Sequence, residues 1–290
     1  VNPSGKLAET FPRNLADTPC ADNYPATNGL ALYRESIFIG YRYYQAAHKK
    51  VRWPFGYGLS YTTFAYKDLT LSSDHFDPAK GVDVTLTVQN TGSVAGKETV
   101  QLYVAPQIPV LFCAPRQLRA FAKVALAPGE EKTVSFHLKA DAFQYYDTAE
   151  HGWRTEGGVY DIEAAASSED IRLKAPIDVE GDVEPRDLRK VTPLYYERGG
   201  FSNREFAAIY GRPLPLPRQP GQRPFTMNTT AGELDGTFAG KMLAKLVARH
   251  MGGGTGSDDL SRMFQAMLAD MPLRGLKTFG IPEQNLEGIL

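Results

Sequence analysis

The side chains that most often do chemistry are few and scattered in this 290-residue sequence. No histidine lies three or four residues from another, the spacing at which a helix presents two ligands to one metal ion. The glycine-rich run 252–256 follows a predicted helix and lacks the lysine of a phosphate-binding loop, and no Gly-x-Ser-x-Gly motif occurs. We therefore expect no catalytic residue, no metal site and no cofactor. The histidines are His48, His75, His137, His151 and His250.

Glu35 is the first carboxylate to consider as a catalytic group. A lone carboxylate beside arginines is usually part of an ion pair, so we expect Glu35 to cap a helix or to pair with Arg34 or Arg42. Catalysis by a pair of carboxylates would need a second carboxylate at a fixed distance. The predicted helix begins near Glu35 and has one apolar face, formed by Ile37, Phe38, Tyr41 and Tyr44.

The stretch Arg52–Thr63 has the composition of an ordered, packed segment between two parts of the chain. Pro54 fixes φ, whereas Gly56 and Gly58 permit backbone angles that a side chain disfavours. A disordered linker would be polar and poor in aromatic residues. The segment could hold two domains together or line a cleft between them. Its aromatic residues are Trp53, Phe55, Tyr57 and Tyr61.

Composition narrows the classes of function. The chain has 32 basic and 33 acidic side chains and a pI near 6.6, which argues against nucleic acid or an anionic membrane as partner. It contains no apolar run long enough to span a bilayer. Cys20 and Cys113 have no metal-ligand spacing, and such sparse cysteine usage favours a reducing compartment. Because the opening Val1–Gly5 is rich in turn residues, we expect the sequence to be a fragment.

From residue 64 the pattern becomes that of short β-strands. Apolar and polar residues alternate over 82–89 and again over 100–104, with a turn at Asn90–Gly92. About seven short strands separated by turns predict an antiparallel β-sandwich. The Cys…Trp…Cys pattern of immunoglobulin domains is missing, so we expect a sandwich of the fibronectin III kind. The further predicted strands are Leu118–Leu126, Thr133–Leu138, Val159–Ala165 and Ile171–Val179.

The end of the chain has two other patterns. Five prolines from Pro213 to Pro224 favour an extended strap against the surface. Thr230–Glu233 has the spacing of a capping box before an apolar helical stripe, which Gly252–Gly254 would end. The first apolar stripe consists of Leu234, Phe238, Leu243, Leu246 and Val247. A second helical stripe ends before Pro272 and consists of Leu260, Met263, Phe264, Met267, Leu268 and Met271. A last helix would start at Pro282 and present Leu286, Ile289 and Leu290 on its apolar face.

Several phrases resemble those of glycoside hydrolase family 3. Phe55–Thr62 resembles the family's phenylalanine-glycine-x-glycine-leucine-serine-tyrosine-threonine signature, which joins the second catalytic domain to a fibronectin III-like domain. Tyr33–Tyr44 is similar to another family phrase, with Ser36 replacing a common glycine, and Gly5–Pro12 matches a third in part. Phrases within 90–171 resemble the family's fibronectin III-like domain, and the tail resembles a helical extension of some bacterial members.

The resemblance implies a mainly β fold with four parts. These are the end of an α/β sandwich domain and the junction (1–63), an antiparallel fibronectin III-like β-sandwich (64–181), a proline-rich strap (182–229) and a small helical extension (230–290). Family 3 enzymes are retaining hydrolases with an Asp nucleophile and a Glu acid/base. The phrases that carry these two residues have no counterpart here. The chain would therefore be a non-catalytic carboxyl-terminal part of a bacterial, β-glucosidase-type enzyme, with the bacterial cytoplasm favoured as its location.

In that case the expected partners are the upstream catalytic domains, with a β-glucoside as substrate only in the intact enzyme. The surface that those domains would cover is also open to self-association of this chain. The alternative is a free-standing β-sandwich module that binds carbohydrate or protein. Aromatic side chains stack on pyranose rings, so residues near the catalytic domains could border the sugar cleft, although packing between domains is the commoner role of such residues. The candidates for the rim of the cleft are Tyr33, Tyr41, Tyr43, Trp53 and Phe55.

Overall fold

The computed structural model describes residues 1–24, 30–197, 200–216, 219, 221–251, 263, 266–288 and 290. Within this part of the chain, none of the helices combines the length and the apolar character needed to cross a membrane. Two compact units are distinguished: Val1–Asp22 with Tyr33–Arg212, and Asn23–Leu32 with Pro213–Leu290. Each is described by itself below, and the domain boundaries given above remain predictions.

The first unit is built around a β-sandwich, as the alternation of residues predicted. Apart from the parallel pair β4 and β12, all neighbouring strands in its two sheets are antiparallel. One sheet has the order β4 (His75–Phe76), β12 (Asp170–Val179), β11 (Gly158–Ser167), β6 (Gly96–Pro106) and β7 (Gln117–Leu126); the other has β3 (Phe64–Leu71), β5 (Val82–Asn90) and β8 (Glu131–Leu138).

The core lies between these two sheets. Along β5, apolar residues at every second position are buried, because a strand directs alternate side chains to opposite faces. The same alternation is present in β8, whose Val134, Phe136 and Leu138 pair with β5. The six strands predicted between residues 82 and 179 are all confirmed, whereas β3 was not predicted. The buried core includes Val84, Leu86, Val88, Val100, Leu102, Ile162 and Ile177.

The amino-terminal region has little regular structure. β1 (Phe11–Pro12) pairs with β2 (Val51–Trp53), and a single 3₁₀ turn covers Leu15–Asp17. The helix predicted from Glu35 is wrong at its start, because α1 extends only over Tyr41–Ala46.

Two residues with positive φ explain the late start of α1. The backbone of Ser36 has φ of 52°, and that of Gly40 has φ of 54°, so neither can continue a right-handed helix. As a result Ile37 is exposed, whereas Phe38 is buried. They do not share one helical face.

A separate two-stranded ribbon connects β8 to β11. It consists of β9 (Gln144–Asp147) and β10 (Gly152–Thr155), and a 3₁₀ turn at Ala140–Ala142 precedes it. Its residues were not predicted as strands. We call it the β9–β10 hairpin.

The region after β12 contains two helices that were not predicted. They are α2 (Pro193–Glu197) and α3 (Asn203–Tyr210), which the Ser202 hydroxyl caps by accepting a hydrogen bond from the Glu205 amide. Tyr195 of α2 is fully buried against Phe38 and Phe201. Residues 193–210 therefore form part of the packed first unit and not an extended strap.

The second unit is a small helical assembly with its own core. It contains 3₁₀ helices at Gly232–Leu234 and Leu273–Phe279, α4 (Phe238–Met251), a helical segment over 266–269 and α5 (Glu283–Glu287). The predicted capping box is present, because the amides of Thr230 and Glu233 each donate to the other residue's side chain. The core consists of Phe225, Leu234, Ala239, Leu243, Leu273, Leu276, Ile281 and Leu286.

Some predictions for this unit are wrong and others fall outside the described residues. Phe238 is 79% exposed although it was placed on the buried stripe, and Met263 and Met267 are also exposed. Other predicted positions lie outside the described residues: Leu260, Phe264, Ile289, Gly252–Gly254, and Pro217 and Pro220 of the strap.

Candidate functional site

The outer face of the five-stranded sheet is the most elaborately built site of the first unit. A strand at the centre of a sandwich should bury one face only, yet β6 is buried on both faces from Glu98 to Ala105. The second face is covered by the junction, residues 52–63, together with α1. We call the covered area the junction seam.

An aromatic cluster forms the centre of the junction seam. The ring of Tyr41 stacks on Phe55, with 4.9 Å between centroids, and meets Tyr103 of β6 edge-on at 5.9 Å. Tyr103 is completely buried, and this burial raises the pKa of its phenol. The Tyr41 hydroxyl accepts a hydrogen bond from the Leu118 amide of β7 at 2.9 Å. The cluster therefore fixes α1 and the junction to the sheet.

Backbone groups of the junction are tied to the same face. The Gln101 side-chain amide donates to the carbonyl oxygens of Gly56 at 3.1 Å and Ala166 at 2.8 Å, and its oxygen accepts from the Tyr103 hydroxyl. The Ser168 amide donates to the Phe55 carbonyl at 2.9 Å. Gly56 has φ of 78°, and a Cβ there would overlap the Gln101 amide. Glycine is therefore required at this position for two independent reasons.

The buried carboxylates near the seam have structural partners. Glu98 receives the Lys6 ammonium at 3.0 Å and the Tyr66 hydroxyl at 3.1 Å. Burial, and then the charge of Glu98, raises the pKa of Tyr66. Glu163 receives the Arg116 guanidinium at 2.6 Å. These carboxylates are engaged in fixed ion pairs and are not exposed to a substrate.

The expected partners of Glu35 are engaged elsewhere. Arg34 forms an ion pair with Asp22 at 3.0 Å, and the Arg42 guanidinium lies over the Tyr41 ring at 5.3 Å. Within the described residues neither arginine pairs with Glu35, so that expectation is wrong. The reason is the late start of α1, which places residues 34–37 in a turn and removes the helical spacing on which the pairing depended. Glu35 itself is buried.

The candidates for the rim of the sugar cleft lie in different surroundings. Only Tyr41 and Phe55 are in contact with each other, inside the seam. Tyr43 meets Tyr44 edge-on and packs against Phe201 at a tilt, and burial raises the pKa of its phenol. Tyr33 is 75% exposed.

Trp53 is also partly exposed at the surface. It is 40% exposed, and its ring meets Phe11 of β1 edge-on at 5.7 Å while the Arg52 guanidinium lies 5.3 Å from its centroid. The structure thus places two candidates, Tyr33 and Trp53, at the surface and three in packing contacts. Among the described residues, no group of three His, Cys, Asp or Glu side chains could hold a metal ion.

Sequence reasoning missed the residues of β6 that receive the junction. Gln101 and Tyr103 occupy the polar positions of an alternating strand, which normally face solvent. The available signal was an aromatic residue at an outward position, because a large apolar side chain there usually has a cover.

Comparison with known proteins agrees with this architecture. Residues 98–168 match the fibronectin type III-like domain family. The chain is 43% identical over 186 residues to a thermostable β-glucosidase B from Acetivibrio thermocellus, a match that covers 64% of this chain and 25% of the relative. It is 38% identical over 223 residues to an exo-α-(1→6)-L-arabinopyranosidase from Bifidobacterium breve, covering 76% of this chain and 29% of the relative.

A solved structure shows the same relationship. The family 3 β-glucosidase of Bifidobacterium adolescentis is 41% identical and superposes with a TM-score of 0.60 over 64% of this chain and 28% of that chain. The chain spans about a quarter of the length of these relatives. The resemblance drawn from the sequence phrases is confirmed: the chain contains a fibronectin type III-like domain and is related to a carboxyl-terminal portion of the glycoside hydrolase family 3 β-glucosidases.

Proposed function

We propose that this chain is a non-catalytic part of a retaining family 3 glycoside hydrolase that removes terminal β-D-glucosyl residues. Its role is to brace the catalytic domains. The observation that carries the proposal is a firmly held segment, residues 33–63, whose inner side is bonded to the sandwich while its outer side carries exposed large apolar side chains.

Exposed apolar side chains are concentrated in this part of the first unit. Residues 1–22 and 33–63 contain nine exposed large hydrophobic side chains, whereas residues 64–181 contain six although they are more than twice as many. Contiguous exposed apolar surface is characteristic of an interaction site. The nine are Val1, Phe11, Leu15, Tyr33, Ile37, Ile39, Trp53, Leu59 and Tyr61.

The bonds of the junction seam make this surface a fixed one. The Phe55 and Gly56 carbonyls and the Tyr41 hydroxyl are all held by groups of the sandwich. A partner that binds the outer side is therefore held at a defined orientation to the sandwich, since no flexible linker intervenes. This is what bracing requires.

The choice of β-glucoside as substrate rests on the relatives. Several of them are named β-glucosidases, and one is named an arabinopyranosidase. Covalent glycosyl transfer requires a nucleophile and an acid/base group a few ångströms apart across the sugar. The buried carboxylates of the seam are committed to ion pairs, so we expect the isolated chain to be inert.

Complementation tests the proposal. Hydrolysis of an aryl β-D-glucoside and an aryl α-L-arabinopyranoside is measured for the 290-residue chain alone, and after mixing with separately produced catalytic domains of the same enzyme. No turnover alone and glucoside turnover on mixing is the expected result. Turnover by the chain alone would overturn it, and loss of that activity in Glu35→Gln would identify the overlooked carboxylate.

A matched pair of variants tests the surface. Trp53→Ser and Phe121→Ser each remove one exposed aromatic side chain, the first from β2 and the second from β7, where Phe121 is 69% exposed. Only Trp53→Ser is expected to weaken association with the catalytic domains, by about tenfold or more. Equal effects would contradict an interface in residues 33–63.

The cleft hypothesis, in which aromatic side chains of this chain border the sugar cleft, concerns only five residues. In the intact enzyme, Tyr33 and Trp53 are the candidates with exposed rings for stacking on the sugar, whereas Tyr41, Tyr43 and Phe55 have packing roles. Alanine variants of the first two should lower kcat/KM with little loss of stability, and variants of the other three should do the reverse. Unchanged kcat/KM in all five would remove the cleft hypothesis. A free-standing binding module, the alternative function, would show no complementation at all.

A further inference from the structure

The β9–β10 hairpin carries two aromatic rings that remain about half exposed to water. Trp153 lies directly opposite Tyr146 in the register, and their rings meet edge-on with centroids 5.6 Å apart. Trp153 is 60% exposed and Tyr146 is 49% exposed. An exposed indole face beside a phenol is a surface on which the apolar C–H face of a pyranose ring can stack, with the phenol hydroxyl available as a hydrogen-bond partner.

The same face of the hairpin leads to a cavity. Alternate residues of a strand share a face, and directly opposite residues of an antiparallel pair share it too. Gln144 therefore lies on the side of Tyr146, and its cross-strand partner Thr155 on the side of Trp153. Gln144 lines an open cavity of about 460 Å³, a volume within the range of small-molecule sites. The other polar side chains of its lining are Lys80, His137, Lys139 and Asp141.

Charged groups of both signs surround this cavity. Lys80 is paired with Asp77 at 3.0 Å, and His137 contacts Asp83 at 2.7 Å. This leaves Lys139 and Asp141, one of each sign, and the neutral amide of Gln144. A balanced set of donors and acceptors favours a ligand with many hydroxyl groups and no net charge over an anion.

We propose that the hairpin face and the cavity form a binding site for a neutral oligosaccharide. One pyranose ring stacks on the Trp153 indole with the Tyr146 hydroxyl as a hydrogen-bond partner, and the hydroxyls of a neighbouring sugar bond to Gln144, Lys139 and Asp141. Such a site is separate from hydrolysis and goes beyond the bracing role. It would hold a glucan chain or a free oligosaccharide on the fibronectin III-like domain.

The tryptophan content allows a direct test. Trp53 and Trp153 are the only two tryptophans, so Trp53→Phe leaves Trp153 as the single fluorophore. We expect its emission to change saturably on addition of cellopentaose to the 290-residue chain. In this background Tyr146→Ala should raise Kd at least tenfold, which corresponds to about 1.4 kcal/mol. Gln144→Ala should raise Kd by a smaller factor, and Phe121→Ala, far along β7, should leave it unchanged.

Calorimetry with the unaltered chain and with Trp153→Ala supplies an independent measure, since that variant removes the fluorophore of the first assay. Near-ultraviolet circular dichroism checks that each variant is folded. If Tyr146→Ala does not fold, the Kd of Gln144→Ala still tests the proposal. Absence of saturable binding, or the same Kd in folded Tyr146→Ala, Gln144→Ala and Trp153→Ala variants, would overturn the proposal. Because no catalytic domain is present in this assay, its failure would leave the complementation test unaffected.

Discussion

The junction seam and the β9–β10 hairpin contain the same type of contact with opposite exposure. In the seam, the Tyr41 ring packs within 6 Å of both Phe55 and Tyr103, and Tyr41 and Tyr103 are buried while Phe55 is partly buried. On the hairpin, Tyr146 and Trp153 pack at a similar distance, yet about half of each remains in water. The free energy of aromatic packing comes mainly from burial, so the first cluster stabilises the fold and the second leaves its rings available for a ligand.

The hydrogen bonds differ in the same sense. The seam joins residues far apart in the chain, such as Gln101 with Gly56 and with Ala166. The hairpin is held by pairing between neighbouring residues along the chain. Loss of one seam contact therefore weakens the attachment between distant segments, whereas loss of one hairpin side chain leaves the backbone pairing intact.

The largest expected effect is that of Tyr103→Ala. It opens a cavity beneath Tyr41 and leaves Gln101 without its hydroxyl partner, so the free energy of unfolding should fall by about 3–5 kcal/mol. Urea unfolding of the 290-residue chain measures it. Tyr103→Phe keeps the ring and should cost only about 1 kcal/mol, and equal losses for the two variants would show that packing in the seam is unimportant.

Gly56→Ala should have the next largest effect. It combines the strain of a positive φ with overlap on Gln101, for a loss of about 2–4 kcal/mol. Gly129→Ala is the matched control, because Gly129 has φ of 76° but open space around its Cα, so only the strain of about 1–2 kcal/mol applies. If both variants lose the same stability, the close approach between junction and β6 does not contribute.

Glu156, which follows β10 at the base of the hairpin, should show a pH effect. Burial raises the pKa of its carboxyl, with amide donors at Val110 and Leu111 acting in the opposite direction. The folded state therefore binds more protons than the unfolded state, and stability should fall as pH rises above about 4.3. Glu156→Gln should remove this loss, so its stability relative to wild type increases with pH. Glu150→Gln removes one charge from an exposed site and gives the reference slope; identical slopes would contradict the prediction.

The smallest effect on stability is expected for Trp153→Ala. Its side chain is mostly in water, so thermal unfolding should register a loss of about 0.2–1 kcal/mol from the pair with Tyr146. A loss near that of Tyr103→Ala would mean that the ring has a structural role and would weaken the argument for a sugar-binding face.

Local sequence was sufficient for the sandwich. The alternation in β5 and β8 predicts their inner faces because a period of two fixes which side chains meet the core. The capping box at Thr230–Glu233 was likewise readable, since both of its hydrogen bonds form within one turn. The phrases at 33–44 and 55–62 indicate the family for a different reason: each is a long residue pattern that matches a pattern of the family.

Other features depended on contacts between distant segments. The helical spacing from Ile37 to Tyr44 was overridden by positive φ angles at Ser36 and Gly40, and α2 forms where Tyr195 is buried against Phe38. The hairpin was missed because its short strands lack a long alternating pattern.

The sequence by itself determined the sandwich strands, the capping box and the family relationship, because each depends on residues close together in the chain. Only the tertiary structure decided which aromatic residues are covered. Tyr103 lies in the long strand β6 and Trp153 in the short strand β10, and neither residue type shows whether its ring is covered. The difference arises because the junction crosses β6, whereas no described segment of the first unit covers the hairpin rings. Exposure to water, not residue type, separates a packing contact from a binding surface.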